Sequence, residues 1–130
     1  MEELVVNIVT PYGEIFSGGV KSVTLPGVEG EFGVLKGHSN ILSLLKSGVI
    51  EIERSGNERD LIAINWGYAE VSAMQVDILA DGAVAIGGKD ANEISQAIAD
   101  AKKLLEEATS DRVAISNVVS KIETSAKGKL

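Results

Sequence analysis

Residues 48 to 66 read GVIEIERSGNERDLIAINW, and this stretch decides the fold class. Ile50 and Ile52 alternate with Glu51 and Glu53, a period of two that places apolar and acidic side chains on opposite faces of a strand. Ser55-Gly56-Asn57 supplies turn residues, because glycine and asparagine tolerate positive φ, and Leu61 to Trp66 returns as a second strand. The pattern continues in both directions. Downstream, Tyr68 to Ser72 precedes Gln75 to Leu79, where Val76 and Ile78 alternate against Gln75 and Asp77. Upstream, Val5 to Thr10, Ile15 to Ser17, Val20 to Leu25 and Glu31 to Val34 are separated by Thr10-Pro11-Tyr12-Gly13, Gly18-Gly19 and Pro26-Gly27. In the first of these runs both alternating sets are β-branched or polar, so either face suits the core. Strands spaced at about 8–12 residues imply a β-sandwich or barrel. The links are too short for helical crossovers, so the sheet should be mostly antiparallel.

The grammar changes after Gly87-Gly88. Thirteen of the 14 glycines and both prolines, Pro11 and Pro26, lie in residues 1–88. Two units follow, a sandwich over 1–88 and a helical segment over 89–130. Ile94, Ala97, Ile98, Ala101, Leu104, Leu105 and Ala108 recur at spacings of three and four, one apolar stripe on a helix. Asp90 and Glu93 have the spacing of a capping box. Asp100–Lys103, Lys102–Glu106 and Lys103–Glu107 are opposite-charge pairs within helical reach. Thr109-Ser110-Asp111 is a short joint with good N-cap residues, and a second stripe runs through Ile115, Val118, Val119, Ile122 and Ala126. Two such helices should form an antiparallel hairpin. The second carries Val113, Ile115, Val118, Val119, Ile122 and Thr124. Those branched residues cost roughly 2–4 kcal/mol relative to alanine, so that helix depends on docking against something.

Composition narrows function by exclusion. Nineteen acids against 12 bases give a net charge of -7. That balance argues against nucleic acid, whose binders neutralise phosphate with basic patches, and against anionic lipid surfaces. The chain has no cysteine and one histidine, His38, which removes disulfides, thiolate chemistry and His-rich metal clusters. No apolar run approaches the roughly 18 residues of a membrane span. The N-terminus, MEELVV, is acidic rather than signal-like, so direct membrane insertion is not expected.

The motifs that suggest chemistry fail on inspection. Gly82 to Lys89 (GAVAIGGK) contains Gly-Gly-Lys, but Asp90 stands where a P-loop needs its magnesium-binding hydroxyl. Gly30 to Gly37 (GEFGVLKG) lacks the following helix of a dinucleotide fold. Glu29, Glu31 and His38 have no accompanying nucleophile or second base, so a loop contact surface is the better reading. His38 beside Gly37 also suits a turn residue that bonds its own backbone. Most of Phe16, Phe32, Trp66 and Tyr68 read as core or edge packing. A small metabolic enzyme would need convergent titratable groups, and a carbohydrate- or peptide-binding sandwich would need more than 4% aromatics.

Five ordered motifs carry a resemblance. Val9-Thr10-Pro11-x-Gly13-x-x-Phe16-x-Gly18 resembles the opening of the epsilon-subunit family of F-type ATP synthases. Residues 26 to 38 (PGVEGEFGVLKGH) are similar to that family's longest signature. Leu45-Lys46-x-Gly48-Val49-Ile50, Gly67-x-x-Glu70-Val71 and Leu79-Ala80-Asp81 follow in the same order. Residues 1 to about 90 match closely, and the hairpin by pattern and position.

The resemblance implies two five-stranded sheets packed as a sandwich, followed by a two-helix C-terminal domain, in a non-catalytic subunit of the rotor stalk. It implies c-ring contact through Glu29, Gly30, Glu31 and His38, and gamma-subunit contact through His38, Ser39, Asn40, Ile41 and Glu70. It implies a regulatory helix in which Arg112, Val118, Val119, Lys121, Ile122 and Lys127 reach the alpha/beta head when the hairpin extends, inhibiting ATP hydrolysis. It also places the chain peripherally, at the cytoplasmic face of the bacterial inner membrane. One departure bears on cofactors. Some members bind ATP through Ile/Leu-Asp-x-x-Arg-Ala at the start of the first helix, and here that stretch is Ala91-Asn92-Glu93-Ile94-Ser95-Gln96. The carboxylate has become an amide and the arginine a serine, so no cofactor is expected.

Overall fold

A computed structural model describes residues 3–54, 58–86 and 91–108. Its strands are β1 (Leu4–Thr10), β2 (Gly13–Val20), β3 (Ser22–Gly27), β4 (Gly30–Leu35), β5 (Ile41–Leu45), β6 (Gly48–Glu53), β7 (Arg59–Ile64), β8 (Gly67–Val71), β9 (Gln75–Ala80) and β10 (Ala83–Ile86). One helix, α1 (Ala91–Ala108), follows them. The Ser55-Gly56-Asn57 turn, the Asp90 cap, the joint at 109–111 and the whole second helix lie outside the described residues. So do Arg112, Val118, Val119, Lys121, Ile122 and Lys127.

The strands form two layers. β4, β3, β6, β7 and β10 make one, and β5, β8, β9, β1 and β2 the other. The layers are not separate sheets, because Gly27 of β3 pairs with Leu45 of β5 and joins nine strands into one hydrogen-bonded path, with β4 branching from β3. β3 can do this because Ser22 to Thr24 pair with β6, which leaves its far end free for β5. One neighbouring pair, β1–β9, is parallel. Short links forbid parallel pairing only between consecutive strands, and these two are far apart in sequence.

Burial resolves the face that alternation left open. In β1, Leu4, Val6, Ile8 and Thr10 point inward, while Val5 is exposed. They meet Ile50 and Ile52 of β6, Ile62 and Ile64 of β7, and Val76 and Ile78 of β9. Each such side chain contributes about 1.5–3 kcal/mol of burial.

Two expected breaks are not breaks. Gly18-Gly19 lies inside β2, opposite Val6 and Val5, and Pro26-Gly27 ends β3 in fully buried positions. Gly27 is glycine for space: a β-carbon there would stand 2.7 Å from the Gly30 carbonyl oxygen and 2.9 Å from Phe32 Cε1. The chain therefore turns one step later, at Val28-Glu29, with Gly30 at φ 136°.

β7 has no polar face over its last four residues. Ile62 and Ile64 enter the sandwich, whereas Leu61 and Ala63 face outward with Val49 and Ile86. α1 covers that outer face with Ala101 and Leu105, flanked by Ala97 and Ile98. The expected stripe is thus the docking face of α1. Asp100, expected to pair with Lys103, accepts a hydrogen bond from Gln96 Nε2 at 2.9 Å.

Candidate interaction surface

The outer face of the second layer is exposed and partly apolar. In β8 the residues alternate strictly, so Tyr68 and Glu70 face outward while Gly67, Ala69 and Val71 are buried. Strand register extends both outward positions sideways. Leu44 lies opposite Tyr68, Tyr68 opposite Leu79, and Leu79 beside Val9, forming one rung across β5, β8, β9 and β1. Four strands at about 4.8 Å spacing make that rung roughly 14 Å wide. The next rung runs through Leu42, Glu70, Asp77, Asn7 and Ser17.

The two rungs differ in chemistry. Leu44 is 63% exposed and Leu79 44%, and Trp66, just before β8, is 57% exposed. Leu42, 70% exposed, extends this apolar surface onto the second rung, and a contiguous apolar strip marks a contact face. On the second rung Ser17 Oγ donates to Asn7 Oδ1 at 2.7 Å and Asn7 Nδ2 donates to Asp77 Oδ1 at 3.1 Å. Gln75 Nε2 also donates to Asp77, at 3.0 Å. Side-chain hydrogen bonds therefore order the polar edge of the strip.

The residues expected at the c-ring and gamma contacts fall in three places. Glu29, Gly30 and Glu31 are exposed around the β3–β4 turn. That turn is held by Val28 N–H donating to Leu44 O at 3.0 Å and Lys46 N–H donating to Pro26 O at 2.9 Å. His38, Ser39 and Asn40 lie in the loop after β4. Gly37 there has φ 93°, and its N–H donates to Ala73 O at 2.6 Å, tying the loop to the β8–β9 turn. Glu29 and His38 thus lie off opposite ends of β4, a strand about 17 Å long at 3.3–3.4 Å per residue. The structure does not gather Glu29, Gly30, Glu31 and His38 into one cluster. It does bring Asn40, Ile41 and Glu70 together, lining one groove with Leu42 and Tyr68.

His38 Nδ1 is 2.7 Å from Ser39 O. A carbonyl only accepts, so the Nδ1 proton sits in that bond, and the histidine serves its own turn as expected. Among the described residues no three His, Asp or Glu side chains are placed to hold a metal ion. No helix among them is long and apolar enough to cross a membrane.

The apolar rung was missed at the sequence level. Trp66 and Tyr68 are exposed although most of the aromatics are expected to pack, and the sequence of β5 carries no strand alternation. One signal was available. In β9 the outward set Gln75, Asp77, Leu79 ends in leucine, a breach of alternation that marks an apolar side chain on the solvent face.

Residues 3–86 match the family model described as the ATP synthase delta/epsilon chain β-sandwich domain. The ATP synthase epsilon chain of Wolinella succinogenes is 62% identical over 130 residues, covering 100% of this chain and 99% of that one. That of Helicobacter pylori strain G27 is 60% identical over 124 residues, 95% of this chain and 99% of the relative. Among solved structures, a chain of the Euglena gracilis mitochondrial ATP synthase OSCP/F1/c-ring assembly aligns with TM-score 0.63 at 23% identity, over 100% of this chain and 83% of that one. A chain of the Tetrahymena thermophila mitochondrial ATP synthase central stalk/c-ring aligns with TM-score 0.55 at 17% identity, over 83% of this chain and 98% of that one. Strand order, signature turns and full-length identity converge: the chain belongs to the ATP synthase epsilon-chain family, whose members are non-catalytic stalk subunits of the complex.

Proposed function

We propose that this chain links the gamma subunit to the c-ring in the rotor of a proton-translocating F-type ATP synthase and restrains ATP hydrolysis through its C-terminal helices. The observation that carries the coupling role is the exposed rung Leu44–Tyr68–Leu79 beside Trp66, which suits an apolar partner surface. Gamma docks there and along the groove that Asn40, Ile41 and Glu70 line, next to the loop bearing His38 and Ser39. The acidic turn with Glu29, Gly30 and Glu31 meets the polar loops of the c-ring, and its exposed carboxylates suit basic partners. His38, off the other end of β4, is assigned to the gamma end. These partners hold the chain at the cytoplasmic face of the bacterial inner membrane.

The restraining role falls to the helical hairpin, residues 89–130, with Arg112, Val118, Val119, Lys121, Ile122 and Lys127 of its second helix meeting the alpha/beta head. The charge division supports it. Residues 1–88 hold 12 acids and five bases, whereas residues 89–130 hold seven of each, so the arm is neutral with a basic end. The test pairs stoichiometric binding to purified gamma with ATPase assays of the reconstituted head complex. Truncation after Ala108 keeps α1 on Val49, Leu61 and Ile86 and avoids uncovering that apolar face. It should raise hydrolysis while gamma binding persists. Unchanged hydrolysis removes the restraining role, and absent gamma binding removes the coupling role.

A further inference from the structure

α1 and the exposed rung belong to different layers, yet one side chain bonds the backbone on which both rest. Asn65 sits between β7 and β8. Its Oδ1 accepts the N–H of Trp66 and the N–H of Gly82, each at 2.8 Å, and its Nδ2 donates to Asp81 Oδ2 at 2.9 Å. The surrounding backbone is clamped as well. Asn65 N–H donates to Gly82 O at 3.2 Å, Asp81 N–H donates to Trp66 O at 3.0 Å, and Ser47 Oγ donates to Asn65 O at 2.5 Å. Residues 65–66 and 81–82 are therefore tied into one piece by four hydrogen bonds.

Each end of that piece touches a different surface. Trp66 adjoins the exposed apolar rung. Gly82 lies under α1: a β-carbon there would stand 3.1 Å from Leu104 Cδ1 and 3.1 Å from Asn65 Nδ2. A methyl group there would press on both neighbours, each of which would have to give by a few tenths of an ångström. Asn65 Oδ1 serves two donors at once, so any shift of Gly82 when Leu104 leaves it strains one of those two bonds.

We infer that Asn65 is a coupling residue, a clasp through which the seating of α1 and the loading of the Trp66 surface act on each other. With the clasp closed, Leu104 rests on Gly82 and Trp66 is fixed. When α1 lifts, the clasp relaxes and Trp66 is released. By linkage the coupling is reciprocal, so a partner that immobilises Trp66 also tightens α1 on the sandwich. The inference stands on the isolated chain and is independent of which partner takes the apolar rung.

The test uses the full ¹⁵N-labelled chain. Leu104→Ala, on the helix side, should shift the Trp66 backbone and indole N–H resonances, and Asn65→Ala should abolish that shift. Asn65→Ala should also speed exchange of the α1 amides by roughly fivefold or more, the lower end of coupling between two sites, with β1 and β9 unchanged. A Trp66 shift of equal size in both backgrounds, no shift in either, or unaltered α1 exchange overturns the inference. Should Asn65→Ala loosen β1 and β9 as well, Gly82→Ala replaces it. Faster α1 exchange together with a Trp66 indole shift then supports coupling, and either effect without the other refutes it.

Discussion

Leu105→Ala separates two descriptions of how α1 is held. Leu105 is 1% exposed and sits with Ala101 against Val49, Leu61, Ala63 and Ile86. If α1 stays in place, the substitution leaves a cavity, and a buried Leu→Ala change costs about 2–5 kcal/mol. For a domain of this size that lowers the melting temperature by roughly 8 °C or more. α1, however, buries few large side chains in this contact. Ile94 and Leu105 contribute about 1.5–3 kcal/mol each, against the conformational entropy of ordering the helix. A helix so weakly held lifts off rather than enclosing a cavity, so the measured cost is capped at its own docking free energy. The expected result is therefore local. Native-state hydrogen exchange should show α1 amides exchanging about 30-fold faster or more, while β1 and β9 amides and the sandwich melting temperature barely change. A fall of 8 °C with α1 still protected would refute the reasoning, because α1 would then be part of the cooperative core.

Three further outcomes follow from single features. Leu44→Asp, at a 63% exposed position on the apolar rung, should weaken gamma binding by roughly tenfold or more in calorimetry and leave thermal unfolding unchanged. Gly67→Ala drives a β-carbon into the Leu79 carbonyl oxygen and to 3.0 Å from Ala80 Cα, backbone that cannot yield. It should destabilise the sandwich by about 3 kcal/mol or more in urea denaturation, and a normal curve would show that β8 and β9 can separate without cost. The isolated chain should give no saturable ATP signal by calorimetry at about 1 mM, since Asn92 and Ser95 replace the charged pair; a clear isotherm would contradict that.

What was legible in the chain was whatever one-sided burial writes into it. Ile50 and Ile52 against Glu51 and Glu53, or Val76 and Ile78 against Gln75 and Asp77, announce strands because one face is wet. β10 was hidden because both its faces are partly covered, Ala83 by the sandwich and Val84 and Ile86 by α1. β5 was hidden for the opposite reason, since Leu42 and Leu44 are apolar on the open face. The turn carrying Glu29 and Glu31 is legible from its glycines and acids, and the strand expected over Glu31 to Val34 already sets it apart from His38.

Local rules therefore determined the strand-rich class, the switch to helix after residue 88, the family motifs and the lack of catalytic equipment, because period, turn chemistry and residue type act over a few neighbours. Tertiary structure decided the rest: which face of β1 is buried, the single pair that joins the layers, the apolar rung, and the place of Asn65 between Trp66 and Gly82. Those features come from register between strands distant in sequence. A shift of one residue would turn every side chain to the other face, and in β1, where both alternating sets are β-branched or polar, nothing local records the choice.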